Sequence, residues 1–281
     1  MSLPGAEFVL TDPAPPPGPR RAPTVAARAV ATVVVALAAS VFLLFILAPV
    51  VGLVSAAGES GLSSLINDAE LRASIALTVA TATIATLLGV AGGTPLAYLM
   101  ARRPFRGRAV LAALLELPLV IPHPVAGIAL LLVLGRASPL GGALYAMGVR
   151  ITGSPTGIVC AMLFVSAPLY VSAAREAFAR VEFRYEAVAR TLGDSAWRAF
   201  RRVTLPLAAR GLTAAAVVMW ARAVSEFGAI VVLTYNPKVA SVLSYDRFTS
   251  LGLNQALPVA AVLVILALIP LAALRALRGD R

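Results

Sequence analysis

Residues 175–210 read REAFARVEFRYEAVARTLGDSAWRAFRRVTLPLAAR. The stretch is charged and rich in helix formers, and on both sides it gives way to long apolar runs, from Arg150 to Arg175 and from Arg210 to Lys238. Four more such runs lie farther out: Arg28 to Glu59, Arg72 to Arg102, Arg108 to Arg136 and Arg247 to Arg275. A helix rises about 1.5 Å per residue, so about 20 apolar residues cross a hydrocarbon core about 30 Å thick. Every one of these runs is long enough. Backbone amides in lipid must bond within their own segment, so the runs are helices and not open strands. The expected fold is all-α and integral to a membrane, with six spanning helices.

Composition agrees. Of 281 residues, 59% are apolar and 13% charged, and the mean hydropathy is +0.89. Soluble domains average about 45–50% apolar and about 25% charged. The net charge of +11 comes almost wholly from arginine, Lys238 being the only lysine. These cations sit in short connections between apolar runs and form no nucleic-acid patch. Placing the N-terminus in the cytoplasm puts Arg20, Arg21, Arg28, the Arg102–Arg108 cluster, the arginines of 175–210, Arg275, Arg278 and Arg281 on that side. Only Arg72, Arg136, Arg150, Lys238 and Arg247 then face outward. Basic residues favour the cytoplasmic side, so both ends are expected inside. Residues 1–25 are Pro-rich and read as a disordered cytoplasmic tail, with residues 26–281 as the membrane domain. The first apolar run is too long for the core of a signal peptide.

One cysteine, Cys160, and one histidine, His123, exclude an internal disulfide and leave no metal site of the Cys/His type. A membrane enzyme would need clustered His, Asp or Cys, which the chain lacks. No GxxxxGK[ST] phosphate loop occurs, so no cofactor, ATP included, is expected on this chain.

Within 175–210, helix is expected up to Leu192. Gly193 suits a left-handed C-terminal position, and Asp194 or Ser195 suits the cap of a second helix carrying Trp197 and Phe200 on one side. Pro206 marks re-entry into the membrane. Two readings stand side by side: an interfacial pair whose arginines meet anionic headgroups, or a docking element for a soluble partner.

Two runs carry charge, Glu116 in one and Arg222 with Glu226 in the other. Arg222 and Glu226 are four apart and can pair on one helix face. A lone charge at the bilayer centre costs about 2.5–3.5 kcal/mol on insertion scales. The pair reads as a structural lock, or as a pore-facing arginine that attracts an oxyanion while Glu226 holds it. Pro118, Pro122 and Pro124 remove backbone donors, so their helix must kink or break. Irregular backbone in a membrane survives where it is buried in protein or lines water, which points to a gate or pore wall. His123 reads as a packed or interfacial histidine rather than a proton relay. Thr78, Thr81, Thr83 and Thr86 read as packing hydroxyls.

The stretch 175–210 resembles the cytoplasmic loop of ABC importer permeases, whose pattern is Glu-Ala-Ala, three residues, Gly, nine residues, Ile, any residue, Leu-Pro. Gly193 is followed after nine residues by Val203, Thr204, Leu205 and Pro206. The acidic residue, Glu186, stands one place early in Glu186-Ala187-Val188-Ala189, a rotation of about 100° on a helix. The resemblance implies that Glu186, Ala187, Ala189, Leu192, Gly193, Leu205 and Pro206 couple to an ATPase, with the docking role on about Tyr185 to Ala196. Ser225-Glu226-Phe227-Gly228-Ala229, Tyr235-Asn236-Pro237 and Tyr245-Asp246-Arg247-Phe248 resemble permeases for molybdate or tungstate, with sulfate permeases similar. Leu117-Pro118-Leu119-Val120-Ile121-Pro122-His123-Pro124 agrees. The likeness covers about residues 70–250. It implies a type I ABC importer permease of the cytoplasmic (inner) cell membrane, working as a twelve-helix homodimer. Its partners would be two ATP-binding cassette subunits, which hold the ATP and Mg, and an external oxyanion-binding protein. The pore or gate would fall on Pro118, Pro122, His123, Pro124, Arg222 and Glu226. Alternatives are sulfate, thiosulfate or another solute as cargo, and, in a different class, an ion-coupled secondary transporter.

Overall fold

The computed structural model describes residues 25–278, and among these every regular element is helical. The expected tail at residues 1–25 lies outside the described residues, apart from Val25. Helix α1 (Val25–Asn67) carries Pro49 inside it and turns at Gly58, whose φ of 49° lies where L side chains rarely go. Its apolar span is Ala29–Gly58. The part of α1 up to Val50 forms one unit, and the chain from Val51 onward forms another.

That second unit begins with the end of α1 and continues into α2 (Ala69–Arg102), capped by Asp68, whose carboxylate accepts from Leu71 N at 3.0 Å. Thr78, Thr81 and Thr86 are buried and donate to the carbonyls of Ser74, Leu77 and Ala82 at 2.6–2.7 Å. The helix thus satisfies its own hydroxyls, which lets them face a neighbour in an apolar surrounding. Small residues along α2 bring other helices close. A Cβ on Gly89 would fall 2.2 Å from the Met219 methyl, and one on Gly93 2.8 Å from the Tyr170 ring.

The third apolar run is broken. Helix α3 (Arg108–Val120) and helix α4 (His123–Leu134) meet at 113°. At 13 and 12 residues neither crosses about 30 Å alone. Among the described residues five helices are therefore long and apolar enough to span a membrane, or six when the bent pair counts as one span. The backbone parts at Ile121–Pro122 only; Pro118 is held inside α3, and Pro124 stands in the first turn of α4, where a missing N–H costs nothing.

A short α5 (Pro139–Ala146) leads to α6 (Pro155–Ala179), then come α7 (Phe183–Thr191) and α8 (Ala196–Ala199). A π-helical turn at Phe200–Thr204 joins α8 to α9 (Leu205–Val224). Here Leu205 N bonds to Phe200 O, and the widened turn admits Pro206 without a break. The fifth span is therefore Ala196–Val224, 29 residues in one piece. Expected boundaries at Arg210 and Lys238 were late, because arginines on the solvent face of a continuous helix imitate a loop. After α9 the backbone breaks at Ser225–Phe227, and α10 (Gly228–Leu233), α11 (Ala240–Leu251) and α12 (Leu253–Arg278) follow.

Near the start of α2 a charge network ties α11 back. Arg247 donates to Asp68 at 2.6 Å and to Glu70 at 2.9 Å, while Lys238 and Tyr235 both donate to Asp246, the lysine at 2.6 Å. The Arg247 hydrogen bond holds Asp68 below its ordinary 3.8, and Lys238 does the same for Asp246. Asp246 in turn raises Lys238 above 10.5. A carboxylate with a lowered folded pKa stabilises above its unfolded value and loses this as pH falls through the folded one; a lysine with a raised pKa does the reverse. The thermal midpoint in detergent should be flat from about pH 5 to about pH 9 and fall below about pH 4, and Asp68→Asn should flatten the acid limb. An acid limb unaffected by Asp68→Asn would remove this account.

Candidate functional site

Two constellations hold functional side chains, one at the Arg102 end of α2 and one far along it. At the first, Glu186 on α7 is buried and turned inward. Its Oε1 accepts from the Thr204 hydroxyl, and its Oε2 accepts from the Tyr98 hydroxyl at 3.1 Å. Arg102 Nε lies 3.2 Å from Oε1, and Arg102 Nη1 donates to Val181 O at 2.8 Å. Glu186 thus clasps α7 to α2 and to the π-helical turn, and does not present its charge outward. The one-residue offset noted in the sequence has this result.

What α7 does present is apolar. Tyr185 is 44% exposed, Val188 56% and Leu192 84%. Spacings of three and four put them in one stripe along the helix. Ala187 and Ala189 are half-buried beside it. Gly193, at φ 99°, turns the chain, and Ser195 caps α8 by accepting from Arg198 N at 3.3 Å. Trp197 is exposed and stacks on Phe200 at 5.5 Å between centroids; Phe200 packs edge-on to Tyr98 at 4.7 Å. Leu205 is half-buried and Pro206 exposed at the start of α9.

The second constellation joins the two broken spans. Arg222 Nη2 donates to Glu226 Oε2 at 2.8 Å and lies 2.8 Å from His123 Nε2. A guanidinium can only donate, so the ring nitrogen is the acceptor of this bond. His123 comes from the first turn of α4, and Glu226 from the break before α10. Glu226 is 1% exposed, its Oε1 accepts from Ala229 N at 2.8 Å, and its carbonyl accepts from the Ser241 hydroxyl at 2.7 Å. The expected i, i+4 pair therefore exists although the helix ends at Val224, between its two members. Pro118 is buried in α3, and Pro122 and Pro124 flank His123 at the bend.

Depth follows from one bond. Trp220 Nε1 donates to Thr83 Oγ1 at 3.1 Å. Thr83 stands about 21 Å along α2, a helix about 51 Å long, and α9 runs antiparallel to it. Arg222 therefore lies between the middle of α2 and the end opposite Arg102.

Close backbone contact holds the two half-helices together. A Cβ on Gly228 would meet His123 Cβ at 2.7 Å, and one on Gly127 would meet Ala229 O at 2.8 Å. Gly228→Ala should lower stability by about 1–3 kcal/mol through overpacking, read as a drop in thermal midpoint in detergent. An unchanged midpoint would show that the junction can give.

Residues 93–278 match the family described as binding-protein-dependent transport system inner membrane component. A molybdate/tungstate transport system permease protein, WtpB, of Thermococcus kodakarensis is 44% identical over 198 residues, which is 70% of this chain and 73% of that one. A molybdenum transport system permease protein, ModB, of Escherichia coli is 37% identical over 173 residues, 61% of this chain and 75% of that one. In fold the chain is similar to one from a bacterial ABC transporter involved in the import of the acidic polysaccharide alginate. The TM-score is 0.67 at 18% identity, covering 88% of this chain and 93% of that one.

Proposed function

The chain belongs to the family of binding-protein-dependent transport system inner membrane components, and we propose that it is the membrane-spanning permease of an ATP-driven importer for a tetrahedral oxyanion, molybdate or tungstate. Relatives named as molybdate/tungstate and molybdenum transport permeases support this cargo. The observation that carries the reading is α7: a short helix clasped from inside by Glu186 while its apolar stripe of Tyr185, Val188 and Leu192 stands open. Exposed aromatic and aliphatic anchors on a rigid element are what a partner's groove takes up.

Two copies related by a two-fold axis enclose the path, and each presents α7 to one ATPase subunit. Both chain ends and α7 lie in the cytoplasm of the cell membrane; an oxyanion-binding protein docks on the opposite face. ATP and Mg stay on the ATPases. Their closure on ATP turns the path outward, and hydrolysis resets it. The gate lies where α3–α4 and α9–α10 break, held by His123, Arg222 and Glu226.

Reconstitution with the ATPase and binding protein tests this. Proteoliposomes should accumulate tungstate only with ATP present, and molybdate should compete better than sulfate. Uptake driven by an ion gradient without the ATPase would overturn the reading, and preference for sulfate would overturn the cargo.

A further inference from the structure

Arg222 is the only Arg or Lys inside the apolar runs that the sequence bounds by charged residues, and its close contacts fall on one nitrogen. Nη2 serves both Glu226 and His123. Nη1 reaches only the Ser225 hydroxyl, at a long 3.5 Å, and Nε has no partner among the described residues. The side chain is 21% exposed, against 1% for Glu226, so the guanidinium is the more accessible member of the pair. Glu226 is moreover shared: Ala229 N takes its other oxygen. Its two oxygens are thus divided between the guanidinium and a backbone N–H.

We infer that the Nε–Nη1 edge of Arg222 is a transient binding site for the transported tetrahedral oxyanion, with the Ser225 hydroxyl as a further donor and His123 and Glu226 holding the guanidinium in place. This rests on the oxyanion reading above and says which atoms meet the cargo. The fork of a guanidinium matches two oxygens of a tetrahedral anion, which an ammonium cannot do. Half-helices that begin inside a membrane direct their positive ends at anionic substrates, and α4 begins at His123, in contact with Arg222. The Glu226 carboxylate beside Arg222 opposes a second anion and keeps the site weak. Transit needs this, since a step on a pathway must release what it binds. Ser225 now donates to the Arg222 carbonyl at 3.0 Å, and rotation of its hydroxyl frees that donor for an incoming oxygen.

The test is equilibrium dialysis of tungstate against the full-length permease in detergent, without ATPase or binding protein. Wild type should retain tungstate, displaced by molybdate and weakened by salt. Arg222→Lys keeps the charge opposite Glu226 and should lose at least tenfold in retention. The double variant Arg222→Gln, Glu226→Gln leaves no unpaired buried charge and should also lose at least tenfold. Equal retention by wild type and either variant, or none by wild type at millimolar tungstate, overturns the site. Arg222-dependent retention of sulfate in place of tungstate would leave the site standing and overturn the cargo. Because nothing here requires ATP, the result stands apart from the reconstitution assay.

Discussion

Arg222→Ala should destabilise the detergent-solubilised protein more than Arg222→Gln combined with Glu226→Gln. The single change leaves a carboxylate that is 1% exposed without its cation. Removing one partner of a buried pair costs about 3–5 kcal/mol, whereas removing both charges can be nearly neutral. Ala229 N still holds one oxygen of Glu226, so the loss should fall toward the lower part of that range. A double-mutant cycle on thermal midpoints, with Glu226→Gln as the fourth corner, measures the coupling. Additive losses would mean that the pair is not a lock. His123→Ala should cost less, because it removes one bond to Arg222 and leaves the buried Arg222–Glu226 pair in place.

Docking should be equally sensitive, but with the opposite signature. Leu192 is 84% exposed, so Leu192→Asp should leave the permease folded, within about 0.5 kcal/mol of wild type. The same change puts a charge in the middle of an apolar contact and should abolish copurification with the ATPase. Glu186→Ala should fail differently. It strands Arg102, whose side chain is 9% exposed, and releases α7 from Tyr98 and Thr204. Both stability and copurification should fall. Glu186→Gln keeps an acceptor for the two hydroxyls and should retain part of each. Full copurification by Leu192→Asp would move the docking surface elsewhere.

How much of this could be read from residues alone differs by element. The spans were legible because lipid leaves a polar backbone no other partner than its own helix. The break in the third run was legible from its three prolines, but not its position. Pro118 and Pro124 fit helices, and only Ile121–Pro122 parts. The Arg222–Glu226 pair followed from spacing; His123 as its third member did not, because 99 residues separate it from Arg222 and only the fold joins them. Likewise the offset of Glu186 announced a rotated carboxylate, but its partners Tyr98 and Arg102 lie on α2, outside any local pattern. The start of the fifth span was misplaced because Arg198, Arg201, Arg202 and Arg210 interrupt the apolar text without interrupting the helix.

That uninterrupted helix has a mechanical consequence. From Ala196 to Val224 runs a helix about 43 Å long, continuous through the π-helical turn at Phe200–Thr204 and clasped near its start through Thr204. Helices resist bending far better than loops do, so a tug beside α7 is not absorbed on the way. Under the proposed coupling it would arrive at Arg222 as a displacement of similar size. In that proposal one helix, with no relay of side chains, would link the two constellations.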